Sequence, residues 1–163
     1  MKKIISLFII MGLLGPLSAN TLPIIEYASV NHPTIDDDGM VVSQRKIASE
    51  VGAQILKKGG NAIDAAVATG LALAVVLPRA GNLGGGGFML VYISDEKKTI
   101  AVDFRSTAPK NLSNNDFLFL KKNYDQRRYG YKASGVPGTV AGLLQTHERY
   151  GKLPLKKILQ PVI

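Results

Sequence analysis

Few residues in this chain have the type and spacing for chemistry, and Arg105 is the first of them. It follows a run of strand-forming residues and stands two positions after Asp103. A guanidinium at a strand end can grip a carboxylate through two parallel hydrogen bonds. On the residue alone, a surface arginine or the partner of a nearby acid is the preferred reading. A second feature is the run Asn82-Leu83-Gly84-Gly85-Gly86-Gly87. Glycine loops cradle phosphates when they follow a strand and open a helix. Here the order is helix, glycines, strand, and no Gly-Lys-Ser/Thr follows, so this is not a P-loop. A close-packed turn, or backbone laid against a ligand, also requires residues without Cβ. Packing is the simpler of these readings.

Other reactive types lack partners. His32 and His147 are far apart, and His147, beside Glu148 and Arg149, reads as part of a solvated helix face. Neither fits a triad or a metal site. Asp36-Asp37-Asp38-Gly39 reads as a turn, since three consecutive aspartates without a closing Glu do not make an EF-hand loop. The stretch Lys121-Lys122-Asn123-Tyr124-Asp125-Gln126-Arg127-Arg128-Tyr129 mixes cations with aromatic rings, as single-strand binders do. In a secreted chain a surface loop is the preferred reading of it. The chain has no cysteine, which excludes disulfides, thiol catalysis and Cys-type zinc sites. No metal site or cofactor is expected.

Its 163 residues suffice for one domain at most, and 20 basic against 12 acidic residues give a net charge of +8. The first two of those charges, Lys2 and Lys3, precede an apolar stretch over 4–14, the breaker Gly15-Pro16 and the small-residue end Ser18-Ala19. That order of positive, apolar and small residues predicts a cleaved signal peptide over 1–19. The apolar stretch falls short of the roughly 20 residues a bilayer span needs. The mature protein is expected in the periplasm or outside the cell, without a stable membrane anchor. Its remaining net charge of +6 (18 basic, 12 acidic) is scattered rather than gathered into a stripe, unlike a nucleic-acid binder.

The elements that must position Arg105 follow from periodicity. After a polar lead-in over 20–40, Ser43 is expected to cap a helix reaching Lys58. Ile47, Val51 and Ile55 would form its buried stripe, with Ala48 and Leu56 widening it. Gly59-Gly60 offers a left-handed stop. Asn61 caps a second helix, with Asp64 in its first turn, that runs to 76 almost without polar residues and must be buried on several sides. Strands are expected over 88–93 and 99–104, joined as an antiparallel hairpin. A polar, loop-rich stretch over 106–133 leads to the turn Ser134-Gly135-Val136-Pro137-Gly138. A helix over 139–150 follows, stopped by Gly151, and Pro154 opens another. The sum is an α+β domain, part of which is expected to lie beyond Ile163, where the last helix stops in apolar sequence without a cap.

Three stretches in this order resemble the start of the large subunit of bacterial γ-glutamyltransferases. They are Lys58-Gly59-Gly60-Asn61-Ala62-Ile63-Asp64-Ala65-Ala66-Val67-Ala68; Gly81 through Met89 with Asp103-Phe104-Arg105 and Ala108-Pro109; and Gly135-Val136-Pro137-Gly138-Thr139-Val140-Ala141-Gly142. The resemblance covers about 40–163. It implies a partial N-terminal-nucleophile hydrolase fold, an αββα sandwich incomplete in this chain. It also implies a precursor that cuts itself in two. A new N-terminal Thr on the small subunit then attacks the γ-glutamyl amide of glutathione, and the acyl group passes to water, an amino acid or a peptide. On this resemblance Arg105 binds the α-carboxylate of the γ-glutamyl group, Asp103 orients it, and the four glycines are structural. The nucleophile and the oxyanion donors, which come from the small subunit, are expected downstream. None of Thr21, Thr34, Thr69, Thr99, Thr107, Thr139 and Thr146 sits at a matching processing site. The implied partners are glutathione and other γ-glutamyl compounds, an acceptor amino acid or peptide, and the small subunit. The alternative expectation is a truncated, inactive remnant, at most a weak carboxylate binder.

Overall fold

The computed structural model describes residues 35–163. The expected signal peptide over 1–19, most of the lead-in over 20–40, and His32 lie outside the described residues. The turn at 36–39 is present: Asp36 Oδ1 accepts the backbone N–H groups of Asp38 at 2.9 Å and Gly39 at 3.3 Å.

Helix α1 spans Lys46–Lys57. Its N-cap is Arg45, which makes no side-chain capping bond, so Ser43 is not the cap. The Ser43 hydroxyl instead pairs with Ser49 Oγ and donates to Arg45 O, both at 2.8 Å. Ile47 also departs from expectation, being 60% exposed. The buried stripe is Ala48, Val51, Gly52 and Ile55, one residue round the helix from the predicted edge. Small residues take the contact because α1 lies very close to the next helix. A Cβ on Gly52 would overlap the Thr69 hydroxyl and sit 3.2 Å from Ala65 O. The helix ends as Gly59-Gly60 predicted. Gly59 takes φ +85°, and its N–H reaches Leu56 O at 2.9 Å while Gly60 N–H reaches Ile55 O at 3.0 Å.

Helix α2 spans Ala62–Val76 and carries a complete capping box. Asn61 Oδ1 accepts from Ile63 and Asp64 N–H, and Asp64 Oδ2 accepts from Asn61 N–H at 3.0 Å. The α2 flank that faces α1 and the end of the chain is buried, including Val67 and Ala68 at 0% exposure. Its Ala62, Ala66 and Val75 face outward, so the apolar circumference is covered on part of its girth.

Strands β1 (Phe88–Ile93) and β2 (Lys98–Asp103) pair antiparallel, Phe88 opposite Asp103 and Ile93 opposite Lys98. The pairing continues one step beyond, through two Gly87–Phe104 backbone bonds. The inner face brings Val91, Met89, Ile93 and Ile100 onto the core. The outer face does not read as buried: Phe88, Leu90 and Tyr92 are 70, 77 and 65% exposed.

The stretch over 106–133 is more ordered than its polarity predicted. It holds helix α3 (Asn114–Lys122), helix α4 (Tyr124–Arg128) and a 3₁₀ turn, Tyr131–Ala133. The signal for α3 was in the sequence: Ser113 and Asp116 form a second capping box. Helix α5 spans Thr139–Tyr150, and α6 spans Leu155–Leu159 behind Pro154. Ile158 of α6 is fully buried in the α1–α2 core.

One carboxylate ties these pieces together. Asp64 is fully buried. Besides closing its own cap, it accepts Lys152 N–H at 3.0 and 3.1 Å and Leu153 N–H at 3.1 Å. His147 Nε2 stands 3.4 Å from Asp64 Oδ1 and 2.9 Å from Leu153 O. His147 is thus turned inward, its side chain 12% exposed, and not on a solvated face. Gly151 is required here, since a Cβ would stand 2.8 Å from Asp64 Oδ1. Asn61 Nδ2 adds a bond to Tyr150 O at 2.6 Å. In the full-length protein, Asp64→Ala removes the acceptor of three part-buried N–H donors and should cost about 3–5 kcal/mol. The urea unfolding midpoint measures this, and an unchanged midpoint would refute the role given to Asp64.

Candidate substrate-carboxylate site

Three loop segments are braided at the end of the hairpin opposite its turn. Phe104 is bonded to Gly87, as above. Thr107 and Val136 exchange backbone bonds at 3.1 and 2.8 Å. Gly85 O accepts Gly138 N–H at 2.8 Å and Thr139 N–H at 3.1 Å, satisfying the first donors of α5. The segments 84–87, 104–107 and 135–139 therefore hold one another through backbone alone.

Phe104 is the wedge of this braid. A Cβ on Gly87 would stand 2.9 Å from its ring, and a Cβ on Gly142 would overlap the ring outright. On Gly138 a Cβ would overlap the Phe104 carbonyl. Gly86 is as tightly placed, against the Phe104 carbonyl and the Ser106 amide. Four glycines thus make room for one phenylalanine and its peptide. The glycine run is packing in this structure, and two of its members, Gly86 and Gly87, carry that packing.

Strand alternation then sets the neighbours. With Phe104 packed inward, Asp103 and Arg105 are directed outward, and both are exposed. Asp103 Oδ1 accepts the backbone N–H of Arg105 at 2.9 Å. It therefore fixes the Arg105 backbone and not the guanidinium. Arg105 Nη1 donates to Ser106 Oγ at 2.9 Å. Among the described residues, Arg105 enters no ion pair. A guanidinium has five N–H donors, and one bond to a hydroxyl leaves a fork for a carboxylate. Ser106 is a contact that sequence reasoning missed; adjacency to Arg105 was the only sign of it.

The threonines, none of them expected to be the nucleophile, are spread over the fold. Thr146 is buried, its hydroxyl donating to Gly142 O at 2.7 Å, and Thr69 is buried between α1 and α2. Thr99 lies in β2, Thr107 in the braid and Thr139 at the start of α5. Thr21 and Thr34 fall outside the described residues. Among the described residues, no group of three or more His, Cys, Asp or Glu side chains could hold a metal. No described helix is long and apolar enough to cross a membrane.

Similarity to known proteins falls on this same region. A family model described as gamma-glutamyltranspeptidase matches residues 48–163. The glutathione hydrolase proenzyme of Escherichia coli (strain K12) is 50% identical over 134 residues, 81% of this chain and 23% of that protein. That of Pseudomonas sp. (strain A14) is 47% identical over 139 residues, 84% of this chain and 24% of the relative. The solved structure of Helicobacter pylori gamma-glutamyltranspeptidase superposes with a TM-score of 0.73 at 42% identity, covering 80% of this chain and 38% of that one. The chain spans about a quarter of the length of these curated relatives. Its α+β arrangement is accordingly part of a larger fold.

If Phe104 is the wedge, Gly142→Ala forces the ring against a methyl group. The expected cost is about 1–3 kcal/mol. A thermal melt of the full-length protein tests it; no loss of Tm would mean the ring shifts freely and does not aim Arg105.

Proposed function

The chain belongs to the gamma-glutamyltranspeptidase family, and from that premise we propose that it supplies the donor-carboxylate site of a glutathione hydrolase. In this reading Arg105 receives the α-carboxylate of the γ-glutamyl group on the free fork of its guanidinium. The observation that carries it is Arg105, which enters no ion pair among the described residues and is exposed beside Ser106 at the end of a braid of close-packed backbone. A rigid mount favours catalysis because the reacting carbonyl is then placed at a fixed distance from the anchor. Asp103 serves by holding the Arg105 peptide in place.

The bond-breaking groups come from the rest of the protein. The Thr that becomes the N-terminus of the small subunit attacks the γ-carbonyl. Its hydroxyl proton passes to its own α-amine, and the peptide amine departs with a proton. Water or the amine of an acceptor then releases the γ-glutamyl group from the ester. The proenzyme names of the relatives support a precursor that matures by cleavage. The small subunit, glutathione and an amino-acid or peptide acceptor are the partners in this reading. Export through a signal peptide over 1–19 is part of the same proposal, and rests on Lys2-Lys3, the apolar stretch and Ala19.

Losing a charged anchor for a carboxylate costs about 2–5 kcal/mol. Arg105→Ala in the full-length protein should therefore raise KM for γ-glutamyl-p-nitroanilide at least about 30-fold. Arg105→Lys should recover only part of this, since an ammonium lacks the planar fork. An unchanged KM in the alanine variant would remove Arg105 from the site. Edman sequencing of the exported protein should begin near Asn20; an intact Met1 on exported protein would refute the cleaved leader.

A further inference from the structure

Next to Arg105 in sequence, Ser106 opens the lining of a cleft of ≈ 550 Å³ that is built from residues between 106 and 119 and between 127 and 135. Ser106 belongs to both places. Its hydroxyl holds Arg105 Nη1, and the residue also lines the cleft. The walls are partly apolar, with Ala108, Pro109 and Leu112 among them. Two cations, Arg127 and Lys132, line the same space. Among the described residues, neither enters an ion pair. Each is seated over an aromatic ring instead: the Lys132 ammonium is 4.5 Å from the Phe119 ring centre, and the Arg127 guanidinium 5.2 Å from that of Tyr124. Such seating holds a cation in place without neutralising it.

The one acid that lines the cleft is already engaged. Asp116 Oδ2 accepts the Ser113 hydroxyl at 2.6 Å and the Ser113 N–H at 3.1 Å. Those bonds, with Lys132 nearby, hold its carboxyl below the usual carboxylate range. Two cations against this one ionised carboxylate leave the cleft a net positive charge beside apolar walls, next to the site for the γ-glutamyl end. A short peptide has the complementary form: an apolar or small side chain followed by a free carboxylate.

We propose that this cleft is the subsite for the peptide on the far side of the scissile amide, with Arg127 and Lys132 selecting a free terminal carboxylate. The proposal rests on the function given above for Arg105. In a transfer reaction the leaving amine and the incoming amine occupy the same side of the acyl group, so the subsite would also favour acceptors with a free carboxylate. The ligand class is a short peptide or amino acid, not a nucleic acid.

The test compares two donors on the full-length protein. Glutathione carries a carboxylate beyond the scissile amide, and γ-glutamyl-p-nitroanilide does not. The Arg127→Gln/Lys132→Gln double variant should raise KM for glutathione relative to that for the anilide by about tenfold, equal to about 1.4 kcal/mol. Added salt should shrink the wild-type preference for glutathione, as expected of exposed charges. A KM ratio that does not move, or one that moves equally in single Lys121→Gln outside the cleft, overturns the subsite. Failure of the underlying reading looks different: the wild-type protein would then cleave neither donor, and both proposals would fall.

Discussion

The buried carboxylate of Asp64 is the constraint on which the arrangement depends. It belongs to the first turn of α2, yet three of its bonds go to two backbone N–H groups 88 and 89 residues away. A buried carboxylate must be satisfied by donors, and here the donors are the N–H groups of the segment that follows α5. His147 and the Asn61 amide close the same joint. The joint pins the C-terminal end of α5 to the α1–α2 pair and brings Leu153 and Ile158 onto the core.

The other end of α5 is pinned at the braid. Gly85 O takes its first N–H groups, and Gly142, one turn in, lies against the Phe104 ring. Helix α5 therefore runs from the Asp64 joint to the strand end that bears Arg105. Strand alternation from the inward Phe104 turns Arg105 outward, and the Ser106 hydroxyl accepts its Nη1. The exposed residue owes its placement to buried contacts, each of them backbone or ring against backbone. This explains why glycine recurs at 86, 87, 138 and 142, where a larger residue would push the segments apart.

The outer face of the hairpin bears Phe88, Leu90 and Tyr92 in solvent. Apolar surface of that kind on a sheet is ordinarily covered by a further layer. The relatives are about four times as long as the stretch they share with this chain. A sandwich whose second sheet comes from the remaining length agrees with the open face, and the catalytic groups proposed for the small subunit would arrive with it.

Local order determined much of this. The capping residues Asn61 and Asp64, the Gly59-Gly60 stop, the hairpin and the 139–150 helix were legible because each depends on neighbours within a few residues. The Ser113–Asp116 box was equally local, but the polarity of its surroundings concealed it. Arg105 stands out in the sequence as a strand-end cation with an acid nearby, and the role proposed for it comes from the resemblance. What the sequence left open depended on distance along the chain. Ile47 and Ala48 both suit a helix stripe, and only the close approach of α2 at Gly52 decided that the smaller faces inward. His147 stands beside charged neighbours, and only the Asp64 joint, 83 positions earlier, turned it inward. Phe104 lies far along the chain from its glycine partners at 138 and 142, and only folding brings them against its carbonyl and ring. Short-range hydrogen bonding fixes elements, whereas the choice of face and partner belongs to the packing of segments that meet only when folded.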